Sequence, residues 1–164
     1  MLAKSSEPGV IGLDTLRLLT LAVPTVLMLG AIGSQIIGGL HPCEMCIWQR
    51  WPHGFAIVLA LAAMVVHGRP ALSRRLTYGA LVMIAVSGAI AVFHAGVEQK
   101  WWEGLTTCTA GGAATLEDIM NAPLVRCDEI PWSWLGLSLA GWNAVISLGS
   151  AALLFFLGTR KARA

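Results

Sequence analysis

Four apolar runs dominate this chain, Leu16 to Leu40, Ile47 to Val66, Leu76 to Val97 and Trp132 to Leu157. Each is long enough to cross a hydrocarbon core of about 30 Å. Inside hydrocarbon no water reaches an unpaired amide, so a spanning segment closes its backbone hydrogen bonds within itself or within a closed barrel. The alternating ten-residue pattern of barrel strands is absent. The sequence therefore predicts an all-α integral membrane protein, a four-transmembrane-helix bundle forming one membrane domain over residues 1–164. Hydrophobic residues make up 56% of the chain and charged residues 12%, against roughly a quarter charged in a soluble domain. No basic cluster interleaved with aromatics points to nucleic acid.

Basic residues set the expected orientation. Lys4, Arg17, Arg69, Arg74, Arg75, Arg160, Lys161 and Arg163 fall at the termini or between the second and third runs, while only Arg50, Lys100 and Arg126 fall on the opposite side. By the positive-inside rule both termini and the Arg69 to Arg75 turn are cytoplasmic. The first run is longer than a signal-peptide core and lacks an evident cleavage site, so it is read as a retained span. Trp101, Trp102, Trp132 and Trp134 read as an interfacial belt. The outer connection from Glu98 to Pro131 is the one stretch with room for local structure, with a capping signature at Thr115 to Asp118 for one short helix.

All four cysteines lie on the outer side in this topology: Cys43 and Cys46 at the mouth of the second helix, Cys108 and Cys127 in the long outer connection. An even count on an oxidising face points to disulfides. Pro42 suits the first position of a helix, which puts Cys43 and Cys46 on one face of the opening turn. The helix N-terminus and Arg50, one turn further on, both favour the thiolate that reacts in exchange. A zinc site built from all four cysteines has irregular spacing, and haem attachment would need histidine where Ile47 stands. A structural staple is the serious competitor, since closing even a modest loop stabilises by about 3 kcal/mol. Two pairs on one membrane face are, however, what a thiol relay requires.

The run Pro42-Cys43-Glu44-Met45-Cys46-Ile47-Trp48-Gln49-Arg50 resembles the disulfide bond formation protein B (DsbB) family. So do Phe93-His94-Ala95-Gly96-Val97-Glu98-Gln99, Trp101-Trp102-Glu103-Gly104 before Cys108, and Leu135-Gly136-Leu137-Ser138. The resemblance covers nearly the whole chain and is to the short-loop type, with Cys108 and Cys127 only 19 positions apart.

The resemblance implies a membrane protein-disulfide oxidoreductase in a bacterial inner membrane, its active cysteines on the periplasmic side. Such a protein reoxidises a soluble thioredoxin-like dithiol oxidase of the DsbA type and passes two electrons to ubiquinone or menaquinone. It implies that Cys108 is attacked by the partner and that Cys127 passes reducing equivalents to the Cys43 and Cys46 pair. Cys46 then faces the quinone, with Arg50, His94 and Gln49 as its polar contacts. At the position of Gln49 some members carry an acid. His53, deeper on the second helix, reads as a packing residue. Pro52 is expected to kink that helix. Two other classes fit the chain less well: a haem-binding four-helix electron carrier using His53 and His94, and a non-enzymatic scaffold with two structural disulfides.

Overall fold

The computed structural model describes residues 11–104 and 125–160. Four helices account for most of them: α1 (Leu13–Ile36), α2 (Glu44–Val65), α3 (Pro70–Glu98) and α4 (Leu139–Thr159). A two-residue-per-strand hairpin, β1 (Ser133–Trp134) and β2 (Leu137–Ser138), precedes α4. Helices α1, α3 and α4 are long and apolar enough to cross a membrane by length and composition. Helix α2 has the length, 22 residues, or about 33 Å at 1.5 Å per residue. Its outer half carries Gln49, Arg50 and His53, and it is not among the helices apolar enough to qualify by composition.

Lipid-facing and inward-facing residues are sorted as a bilayer demands. Large apolar side chains such as Val26, Phe55, Val58, Val82, Leu153 and Phe155 are exposed on the outside of the bundle. Ala56, Ala60, Ala63, Ala80 and Ala151 are buried between the helices around Ile84 and Leu154. Small residues let the backbones approach closely, which is how helices gain contact where lipid competes equally for apolar surface. The α2 and α3 pair packs most extensively, followed by α3 with α4.

At the end opposite the cysteines the structure differs from the sequence expectation. Helix α1 starts at Leu13, ahead of the apolar run, so Arg17 lies within the helix and is buried. Its Nε donates to Ser73 Oγ at 2.7 Å and its Nη1 to Asp14 at 2.5 Å, and Ser73 donates onward to the Ala63 carbonyl at 2.6 Å. One arginine thus ties the ends of α1, α2 and α3 together. Helix α3 begins at Pro70, in the first-turn position that suits proline, so Arg74 and Arg75 belong to a helix and not to a turn. At 29 residues, about 43 Å, this helix outreaches the hydrocarbon core, which leaves its first turns free to carry charge.

The fourth apolar run also divides. Leu135 and Gly136 both have positive φ, 51° and 79°, the pairing that a two-residue hairpin turn needs. The chain therefore doubles back before α4. Ser138 then caps α4, accepting the Gly141 N–H at 3.1 Å. Trp142 Nε1 donates to the Trp134 carbonyl at 3.1 Å and the two rings pack at 5.4 Å, so the hairpin is fastened to the helix it precedes.

Candidate functional site

The site is built from the first two turns of α2, the last turns of α3 and the start of α4. Cys43 is the N-cap of α2, and its sulfur accepts the Cys46 N–H at 3.3 Å. Pro42 therefore stands just before the cap and not, as the sequence predicts, at the first position of the helix. The Cys43 and Cys46 sulfurs are 2.8 Å apart, with Cys43 buried and Cys46 partly exposed. The Cys43 thiol is pushed up to about 12 by the hydrogen bond it gives Cys46 and by burial. Cys46 is accordingly the sulfur that carries charge, with the unpaired N–H groups of the helix start beside it.

His94, on α3, is almost wholly buried and joins this pair to a polar network in the bundle interior. Its Nε2 is 3.5 Å from Cys43 Sγ and 3.8 Å from Glu98 Oε1, and its Nδ1 is 2.8 Å from Gln49 Nε2. Gln49 Nε2 also donates to the Met45 carbonyl at 3.1 Å, while its Oε1 accepts from Asn143 Nδ2 at 2.8 Å. Asn143 Oδ1 in turn accepts from Ser147 at 2.7 Å and from His53 Nε2 at 3.0 Å. Ser87 closes the network, donating to the Gln49 carbonyl at 2.9 Å. Such groups inside a membrane bundle cost several kcal/mol unless paired, and here nearly all are paired. His53 Nδ1 is the exception among the described ring nitrogens of this network.

Arg50, one turn beyond Cys46, reaches across to α1. It donates to Gln35 Oε1 at 2.9 Å and to the Ala31 carbonyl at 3.4 Å. Cys46, Gln49, Arg50, His53 and His94 all line one cavity of about 590 Å³, walled on its other sides by residues including Val26, Leu27, Met28, Leu139 and Trp142. The cavity thus joins a polar cluster beside the cysteines, with Asn143 of α4 in its lining, to an apolar stretch of α1.

Of the loop pair, Cys127 is buried and packs in one cluster with Cys43, Met45 and Val97. Arg126 and Asp128 flank it and form a two-pronged pair, Nε to Oδ1 at 2.9 Å and Nη2 to Oδ2 at 2.7 Å. That guanidinium holds the exposed Asp128 carboxyl below the usual carboxylate range. Cys108 and the short helix expected near Thr115 lie outside the described residues. Trp102 behaves differently from a free interfacial indole: its Nε1 donates to the Phe93 carbonyl at 2.9 Å and its ring stacks on Phe93 at 5.7 Å.

Sequence reasoning missed Glu98 and Asn143 as site residues. Glu98 is buried, accepts a short hydrogen bond from Ser138 and faces His94 across one helical turn. The i, i+4 spacing of His94 and Glu98 was the available signal. For Asn143 the signal was an amide inside an apolar run. The haem alternative needed His53 and His94 as paired axial ligands. Both nitrogens of His94 are instead engaged by protein groups, and His53 is held by Asn143.

The family profile described as "Disulfide bond formation protein DsbB" matches residues 14–157. Among curated relatives, a "Disulfide bond formation protein B" of Azoarcus sp. (strain BH72) is 32% identical over 124 residues, covering 71% of this chain and 74% of the relative. One of Saccharophagus degradans (strain 2-40 / ATCC 43961 / DSM 17024) is 29% identical over 147 residues, covering 83% of this chain and 87% of the relative. No solved structure matches the chain. With a cysteine pair capping one helix of a four-helix membrane bundle and a family match across nearly its whole length, this chain belongs to the DsbB family of disulfide bond formation proteins.

Proposed function

We propose that the chain is a dithiol:quinone oxidoreductase. It takes two electrons from a periplasmic thioredoxin-like oxidase of the DsbA type and delivers them to ubiquinone or menaquinone in the bacterial inner membrane. The observation that carries this reading is the cavity, which joins Cys46, Arg50 and His94 at one end to an apolar wall at the other. A quinone, with two carbonyl oxygens on a flat ring and a long hydrocarbon tail, matches that division of surface. Lipid solubility also accounts for placing a thiol oxidase in a bilayer. Both termini are read as cytoplasmic on the charge distribution, and the whole chain as one membrane domain.

The thiol steps balance as exchanges. A partner thiolate attacks Cys108 of the loop disulfide, forming a mixed disulfide and releasing Cys127 as thiolate. Cys127 attacks Cys43, and Cys46 leaves as thiolate. The partner's second sulfur then displaces Cys108 and departs as the disulfide. Cys108 restores the loop pair by attacking the Cys127 sulfur, which frees Cys43. The packing of Cys127 with Cys43 supports the middle step. A bound quinone supplies the two-electron sink that returns Cys43 and Cys46 to the disulfide. Arg50 and His94, with Gln49 behind them, orient the polar end, and the Arg50 guanidinium balances the charge on Cys46, while the apolar walls exclude water.

The test is quinone reduction by purified protein with a reduced thioredoxin-like partner, comparing wild type with Cys46→Ser and Cys108→Ser. Wild type consumes quinone and each variant stops. Wild-type rates in both variants, or no quinone reduction with any dithiol, would leave two structural disulfides and no oxidase.

A further inference from the structure

Three donor atoms of the kind that bind thiophilic metal ions, Cys43 Sγ, Cys46 Sγ and His94 Nε2, lie within 4.8 Å of one another. The Glu98 carboxylate lies 3.8 Å from that ring nitrogen, outside the three-donor cluster. Tetrahedral zinc needs donors roughly 3.4–3.8 Å apart, given metal–ligand distances of about 2.0–2.3 Å. The three donors are clustered closely enough that a spreading of the two sulfurs, 2.8 Å apart here, would admit a thiophilic metal ion, and a metal there would block the thiols. Whether one binds depends on which nitrogen of His94 carries the proton.

The surrounding hydrogen bonds decide that. The Met45 carbonyl can only accept, so the end of Gln49 that faces it is the amide nitrogen. That same nitrogen lies 2.8 Å from His94 Nδ1, which must therefore accept. The Gln49 oxygen is held in place in turn by Asn143 Nδ2 at 2.8 Å. Asn143 is itself fixed, its oxygen taking Ser147 and His53 and its nitrogen also reaching Ser87 Oγ at 3.3 Å. A neutral ring whose Nδ1 accepts has its proton on Nε2. A protonated Nε2 donates to a sulfur and has no lone pair for a metal.

We propose that Asn143, acting through Gln49, holds His94 in the Nε2–H form, so that the ring donates to the Cys43 sulfur and is withheld from thiophilic metal ions. Gln49 and Asn143 are positioning residues on this account. The device protects a dithiol that each turnover exposes in its reduced state, and it does not depend on which acceptor takes the electrons. Metal-binding histidines are generally backed by a group that accepts from the second ring nitrogen. Here the second nitrogen meets a donor instead.

The experiment has two arms on the full-length reduced protein in detergent. Histidine 15N NMR reports the tautomer of His94 directly; wild type shows the proton on Nε2, and Asn143→Leu loses that preference. Cobalt(II) titration reports metal capture through thiolate-to-cobalt charge-transfer absorption. Gln49→Glu, nearly isosteric and able to accept from Nδ1, gains cobalt affinity by about 10- to 100-fold over wild type, the usual range for a second ligand shell. The gain disappears when Cys43→Ser is added, which separates this site from Cys108 and Cys127. A proton on Nδ1 in wild type, an unchanged tautomer in Asn143→Leu, or no gain of cobalt binding in Gln49→Glu would each overturn the proposal.

Discussion

The sulfur of Cys43 lies 2.8 Å from that of Cys46, too close for both thiols to ionise as equals. Cys43 gives the hydrogen bond and its thiol is pushed up to about 12, so it stays protonated from neutral pH to that value. Brief alkylation of the reduced protein between about pH 6 and 9, read by peptide mass spectrometry, is expected to label Cys46 and spare Cys43, because the thiolate is the reacting form. Equal labelling of the two would show that the pair shares its charge symmetrically. In Cys46→Ser the sulfur partner is gone, and Cys43 is expected to ionise more readily than it does in the wild type.

Arg17 is buried between α1 and α3 while its carboxylate partner Asp14 is almost fully exposed, 6% against 95% of side-chain surface. The two are expected to respond differently to substitution. Arg17→Ala leaves Ser73 without its donor and opens the helix ends, lowering stability by about 1–3 kcal/mol. Asp14→Asn changes less, because its side chain is in water and the amide oxygen of asparagine still accepts from Arg17. Thermal unfolding in detergent measures both; equal effects would mean that the Ser73 contact is idle.

Gly96 lies against Trp102, where an added Cβ would fall 2.0 Å from the indole Cζ2. Gly96→Ala is expected to expel that ring from its stack on Phe93 and to destabilise by about 1–3 kcal/mol, the usual cost of overpacking. Tryptophan fluorescence should shift toward longer wavelength as the indole becomes wetted. An unshifted spectrum with native stability would show that the Trp102 contact is dispensable.

Ser138 serves two structures at once, capping α4 and donating to the buried Glu98. Ser138→Ala should cost about 1 kcal/mol for the cap alone and more for the deprived carboxylate. Ser138→Thr, which keeps the hydroxyl, should recover most of it. Equal losses in the two variants would assign the effect to packing.

What the sequence revealed and what it hid divide along physical lines. Apolar runs announce helices because hydrocarbon admits little else, and Cys43, Cys46 and Arg50 share a face because they are close in sequence. Helix ends were less legible: α1 begins at Leu13 and α3 at Pro70, ahead of their apolar runs, where length alone is silent. The hairpin at Leu135 and Gly136 hid inside a run whose composition suits a helix. The pairing of Gln49 with Asn143, which spans 94 positions, rests on how α2 and α4 pack. No local pattern carries that information.

The polar outer half of α2 has a consequence for biogenesis. Charged groups oppose insertion, by about 2.5–3.5 kcal/mol at mid-helix on translocon scales and by less toward the ends, and Arg50, with Gln49 and His53 close by, burdens the one of the four helices that is not apolar enough to cross a membrane by composition. Such a segment partitions poorly by itself and is expected to enter the bilayer together with a neighbour that receives its polar face. Helix α1 receives Arg50 through Gln35 and the Ala31 carbonyl, and helix α3 receives Gln49 through His94 and Ser87. Chains ending after α2 should therefore be integrated less efficiently than chains ending after α3, as glycosylation mapping in microsomes would show. The polar contacts that join Gln49 to His94 and Ser87 would thus tie the threading of α2 to that of α3.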